Sequence, residues 1–264
     1  MEINRIGLSA HSLNIFIECP RCFYLYIKEG ISRPRGPMPS IATGIDSLIK
    51  EYFNSFRKKG ELPPFLKGKV EGKLILNLKK TYYYDIEENY YLWGHLDEII
   101  QLPNGLYIPV DHKTRGSSLG NNKEPHEAYK FQIGIYSLLL KKENNGKEVD
   151  FGYLIYYYPE KALIDFNADQ IKNIINFNFD VKQVKIDINK IKEVIKDAIK
   201  CLKIDKIPEI GKNCEYCKWI DKTKVYYIES KNWIEKIDTS NQTLVKLNEE
   251  NKKEEIEFKN GKLF

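Results

Sequence analysis

The chain has 264 residues, 42% of them apolar, with 42 Lys plus Arg against 37 Asp plus Glu and a formal net charge of +5. The apolar content supports a core, and the mild basic excess is compatible with a polyanionic partner without requiring one. No apolar run is long enough to span a bilayer, and MEINRIGLSAHSLNIF lacks a basic segment followed by an apolar stretch and a small-residue cleavage site. A cytoplasmic protein with no membrane partner is expected.

In chain order, Leu8 to Ile17 reads as a short helix with Ser9 or Ser12 as N-cap. Cys19-Pro20-Arg21-Cys22 follows, then an aromatic-rich helix from Phe23 to Lys28. The prolines, arginines and glycine of Ser32 to Ser40 mark a loop. Ile41 to Lys58 is amphipathic, with Ile45, Leu48, Ile49, Tyr52, Phe53 and Phe56 on one stripe and Asp46 beside it. Lys73 to Leu78 fits a strand or a short helix. Thr81 to Asp85 and Tyr90 to Leu102 read as strands. Glu127 to Lys142 is expected as a helix, Phe151 to Tyr158 as an apolar strand, and Ala162 to Phe166 as a possible partner strand. Phe177 to Ile186 reads as extended, and Asn189 to Leu202 as an amphipathic helix. Cys214-Glu215-Tyr216-Cys217 and a charged tail complete the chain.

The chemistry concentrates between Gly94 and Thr114. Tyr90 to Leu102, the turn Pro103-Asn104-Gly105 and Leu106 to Lys113 read as a β-hairpin. Side chains on a strand share a face at every second residue, so Asp111 and Lys113 emerge side by side. The hairpin brings Asp97 opposite them. Two carboxylates can hold a hard divalent cation through oxygen, and a lysine can offset developing charge. The bare Asp/Glu-x-Lys spacing also occurs at Glu71/Lys73, Asp180/Lys182, Glu229/Lys231, Glu250/Lys252 and Glu257/Lys259. What sets Asp111-His112-Lys113 apart is its place at the end of an apolar strand paired with an Asp-bearing one. The two C-x-x-C pairs, Cys19/Cys22 and Cys214/Cys217, suit metal or redox chemistry, and four thiolates satisfy an iron–sulfur cluster or tetrahedral Zn²⁺ equally.

The order helix, three strands, helix, strand, with Asp97, Asp111 and Lys113 in place, resembles the PD-(D/E)XK nuclease superfamily. More narrowly it is similar to the RecB-like branch that includes the iron–sulfur exonucleases associated with CRISPR adaptation. Gln132-Ile-Gly-Ile-Tyr136 matches that branch's Q-x-x-x-Y signature, whose ends share a helical face. Cys19-Pro20 and Cys214-x-x-Cys217 fall where the branch places cluster ligands. The chain departs from the branch at Asp46, where a His is usual, at Gly94-His95-Leu96, which lacks the leading proline, and in a two-plus-two cysteine pattern with Cys201 to spare.

The resemblance implies an α/β fold: a restriction-endonuclease-like core with a mixed central sheet flanked by helices, and a Cys-clamped lobe from both chain ends. The segments would be 1–40 with the first Cys pair, a nuclease core at 41–187, 188–220 closing the metal lobe, and a tail at 221–264. It implies a divalent-metal-dependent DNA nuclease acting at ends or on single strands, with a helicase, recombination or CRISPR-adaptation partner. Asp97 and Asp111, with the backbone carbonyl of His112 and Asp46, would hold Mg²⁺ or Mn²⁺. Lys113 would orient water or stabilise charge, Gln132 would position it, and Tyr136 would contact the strand. Cys19, Cys22, Cys214 and Cys217 would hold a 4Fe–4S cluster, with Zn²⁺ as the alternative. Two other readings stand beside this one: a nucleic-acid-binding module without catalysis, and a zinc-stabilised interaction domain.

Overall fold

The computed structural model describes residues 5–34, 36, 40–120, 123–160, 176–224 and 226. The chain divides into two units, Met1–Asn213 and Cys214–Phe264. The first holds strands β1 (Ile6–Leu8), β2 (Lys73–Leu74), β3 (Tyr82–Glu87), β4 (Tyr90–Gly94), β5 (Glu98–Gln101), β6 (Tyr107–Thr114), β7 (Phe151–Pro159) and β8 (Phe177–Lys185). Its helices are α1 (Ala10–Glu18), α2 (Pro20–Lys28), α3 (Ser40–Arg57), α4 (Glu127–Leu139) and α5 (Ile188–Lys203). In the second unit residues 215–224 are helical.

The central sheet is mixed and five-stranded, in the order β2-β5-β6-β7-β8. All its pairs are antiparallel except β6 with β7. A parallel pair cannot be closed by a tight turn and needs a crossover, which α4 supplies. Alternation along β6 then decides what each face carries. Ile108 and Val110 join Ile49 and Phe53 of α3 in one apolar core with Tyr153, Ile155 and Tyr157 of β7. The odd-numbered residues Pro109, Asp111 and Lys113 face α4. The helix comes so close there that a Cβ on Gly152 would meet Ile133 Cγ2 at 2.7 Å and the Pro109 carbonyl oxygen at 2.8 Å. Among the described residues no helix is long and apolar enough to cross a membrane.

Several expected elements are displaced, each for a local reason. The expected single strand from Tyr90 to Leu102 is two strands in two sheets. β4 pairs with β1 and β3, while β5 pairs with β6. His95-Leu96-Asp97 is the crossing between them, and Gly94 permits it: a Cβ there would lie 2.9 Å from Leu139 and 3.2 Å from Tyr136 of α4. The first helix starts at Ala10, not Leu8, because Ile6–Leu8 pairs in parallel with β4. Ser9 is its cap, in reciprocal bonds with Ser12. α2 begins at Pro20, three residues before the expected start, with the proline in the first turn where no N–H is needed.

The buried stripe of α3 is Ile49, Phe53 and Arg57, while Leu48 is 67% exposed and Tyr52 42%. Arg57 continues that stripe inward and meets Glu98. Of Lys73 to Leu78, the two residues of β2 form a strand. β8 is the strand that pairs with β7. Ala162 to Phe166, much of the Ser32 to Ser40 loop and the tail beyond 226 lie outside the described residues.

Candidate active site and cysteine pairs

β6 presents Asp111 and Lys113 toward α4, where they meet Gln132 and Tyr136. Asp111 is 2% exposed. Its Oδ1 accepts from Gln132 Nε2 at 3.1 Å, and its Oδ2 is ion-paired with Lys113 Nζ. Lys113 Nζ also donates to Gln132 Oε1 at 3.1 Å and sits 4.8 Å from the centroid of the Tyr129 ring. Gln132 Nε2 reaches Tyr136 Oη at 2.7 Å. One amide therefore holds the acid and the base in register from one helical face, as the i, i+4 spacing allows.

Asp97 enters from the crossing segment. The register pairs Glu98 with Val110, so the residue before Glu98 comes up against the residue after Val110. Asp97 Oδ2 accepts the His112 backbone N–H at 3.1 Å. Burial drives the Asp111 carboxyl up to about 6; Lys113 opposes that shift and the charge of Asp97 adds to it. Burial and the charge of Asp111 likewise raise the Tyr136 hydroxyl, which therefore stays protonated. Hard oxygen donors crowded together, one of them buried beside a like charge, form a setting that a divalent cation relieves. The donor set thus fits Mg²⁺ or Mn²⁺.

Asp46 is half-buried on α3. It is bonded to Lys50 Nζ at 2.6 Å, and that ammonium lies 3.7 Å from Asp97 Oδ1. Burial works against the Lys50 charge, but the hydrogen bond it donates to Asp46 and the charge of Asp97 outweigh it and raise the ammonium above its ordinary value. The His112 ring lies on the opposite face of β6 from Asp111 and Lys113. It packs on Phe53 at 4.6 Å between centroids, with Nδ1 3.2 Å from Tyr157 Oη. Only the backbone of His112 is turned toward Asp97.

Sequence reasoning missed two features. Lys50, four residues after Asp46, was visible as an i, i+4 pair. The buried ion pair of Arg57 with Glu98 was signalled by an arginine one turn after Phe53 and an acid heading the apolar run Ile99-Ile100. Glu98 also faces His112, with Oε1 4.0 Å from Nε2.

In the first unit Cys19 and Cys22 are buried with their sulfurs within 4.8 Å of each other. Cys19 Sγ accepts the Gly211 N–H at 3.2 Å. In the second unit Cys214 and Cys217 are buried, again with sulfurs within 4.8 Å. None of these cysteines is in a disulfide. Cys201 is buried on α5, and burial raises its thiol.

The sequence model of the PD-(D/E)XK nuclease superfamily matches residues 46–221. This chain belongs to the PD-(D/E)XK nuclease superfamily. The matched span holds Asp46, Asp97, Asp111, Lys113, Gln132, Tyr136 and the second cysteine pair. Nucleases of this superfamily use divalent metals on nucleic-acid substrates, and the mixed sheet flanked by helices agrees with their core. Among solved structures, the crystal structure of SSO0001 is similar at 18% identity and a TM-score of 0.39, over 76% of this chain and 77% of that one. A search of curated proteins found no match.

Proposed function

We propose that this chain is a divalent-metal-dependent DNA nuclease of the RecB-like branch, acting at ends or on single strands. The observation that carries the reading is the single network joining Asp111, Lys113, Gln132 and Tyr136, with Asp97 tied to the backbone between the first two. Asp97, Asp111 and the His112 carbonyl are the proposed ligands, with Asp46 joining them. The bound cation would acidify a water and offset charge on the scissile phosphate. Lys113, steadied by Gln132, would hold that water or meet the charge that develops on phosphate oxygen. Tyr136, kept protonated, would donate a hydrogen bond or stack on a base.

A reading without cleavage, as a nucleic-acid-binding module, is favoured by one fact: Lys113 and Lys50 already neutralise Asp111 and Asp97. End-labelled single- and double-stranded DNA separates the two. The nuclease reading expects fragments with Mn²⁺ or Mg²⁺ and none with EDTA. Binding without fragments under either ion supports the module instead. A terminal-nucleotide product would place the action at ends, and such an enzyme would draw on a separate helicase or CRISPR-adaptation partner for its substrate.

All four thiolates, in this proposal, serve one metal centre, a 4Fe–4S cluster in preference to Zn²⁺. Support comes from the paired C-x-x-C spacing, the burial of all four side chains, and the match of thiolate donors to either metal. Protein purified without air should be brown and contain iron and sulfide. Cys214→Ser should lose the visible absorption and melt at a lower temperature, since metal binding is coupled to folding. A colourless protein with stoichiometric zinc would reassign the metal, and one holding neither metal would remove the centre.

A further inference from the structure

The carboxylates assigned above are not all equally available to a cation. His112 N–H holds one oxygen of Asp97, Oδ2, at 3.1 Å. The other oxygen, Oδ1, faces Lys50 Nζ at 3.7 Å, and the same ammonium donates to Asp46 Oδ2 at 2.6 Å. Asp46 and Lys50 are one turn apart on α3, so the helix itself presents the pair. Lysine ends in a compact charge with three donors on a flexible stem, and here it bridges two acids that belong to different elements.

We infer that Lys50 is a resident counter-ion of this site, which a divalent cation must displace before Asp97 and Asp46 can both act as ligands. The inference rests on the metal-dependent reading and adds a residue that sets its metal affinity. Lys50 and Lys113 have different parts. Lys113 is 19% exposed and anchored to both Asp111 and Gln132, so it stays when metal enters. The Lys50 side chain is 45% exposed and that of Asp46 43%. Ion pairs this open to water are weak. Lys50 therefore tunes binding instead of blocking it, and it swings into solvent at the mouth of the site, where its charge can meet a phosphate backbone.

Isothermal titration of Mn²⁺ into the full chain tests this, with Lys50→Met, Lys50→Arg and Asp111→Asn beside the wild type. Methionine is a good helix former at an exposed helical position, so the fold is retained. Removing the competing charge should tighten Mn²⁺ binding by up to about five-fold, the scale of a weak ion pair. Arginine keeps the charge and should stay near the wild type, while Asp111→Asn should lose binding. Unchanged or weaker binding by Lys50→Met, with Asp111→Asn still deficient, overturns the role of Lys50 and leaves the metal site standing. Wild-type binding by Asp111→Asn overturns the metal site itself, and the inference with it.

Discussion

Asp111→Asn and Lys113→Met should each lower metal-dependent DNA cleavage by about 10²–10³-fold, the usual cost of losing one preorganised charge at a reacting centre. The two losses have different origins. Asparagine keeps a hydrogen-bonding oxygen for Gln132 but not the charge that attracts a cation, so its defect should shrink as Mn²⁺ concentration rises. Methionine leaves both carboxylates and frees Asp111 from its ion pair, so Mn²⁺ should bind as well or better while kcat falls. Single-turnover rates measured across a metal titration separate the two patterns. Full activity in both variants would exclude this site as the place of hydrolysis.

Arg57→Met should destabilise the first unit by about 3–5 kcal/mol, because it leaves the Glu98 carboxylate buried without its partner. The two side chains are 8% and 1% exposed, and they join α3 to β5 beneath the segment that carries Asp97. For a chain of this size each kcal/mol moves the melting temperature by roughly 2–4 °C, so the drop is easily read by thermal denaturation. Replacing both members, as Arg57→Met with Glu98→Leu, should recover most of the loss, because an apolar pair of similar volume fills the same space without a stranded charge. A double variant no more stable than Arg57→Met would show that the pair does more than balance charge. A single variant as stable as the wild type would show that Glu98 finds water.

Much of this arrangement follows from periodicities that a sequence displays directly. Alternation on β6 sends Asp111 and Lys113 to one face and His112 to the other. The i, i+4 spacing of α4 brings Gln132 and Tyr136 together, and a turn at Pro103-Asn104-Gly105 folds Asp97 back toward Asp111. What the sequence conceals is tertiary. The run from Tyr90 to Leu102 carries aromatic and branched apolar residues on both sides of Gly94-His95-Leu96-Asp97, so it reads as one strand and its pattern does not disclose that the chain changes sheet there. The reason for that change lies on α4, where Leu139 and Tyr136 press against Gly94. The stripe on α3 likewise looks complete with Leu48 and Tyr52, yet the residues it buries are Ile49, Phe53 and Arg57. The placement of Arg57 one turn after Phe53 and of Glu98 ahead of Ile99-Ile100 marks each as facing inward, but which charge meets which is decided only when α3 packs on the sheet.

The central claim is that Asp97 and Asp111 converge on one divalent cation, and a crystal soaked in Mn²⁺ and measured at the manganese absorption edge tests it most directly. The account predicts one anomalous peak within bonding distance of both carboxylates, with Lys50 drawn away from Asp97, and no such peak in Asp111→Asn. Asp97 still held by Lys50 at saturating Mn²⁺, with no peak between the two carboxylates, would contradict it.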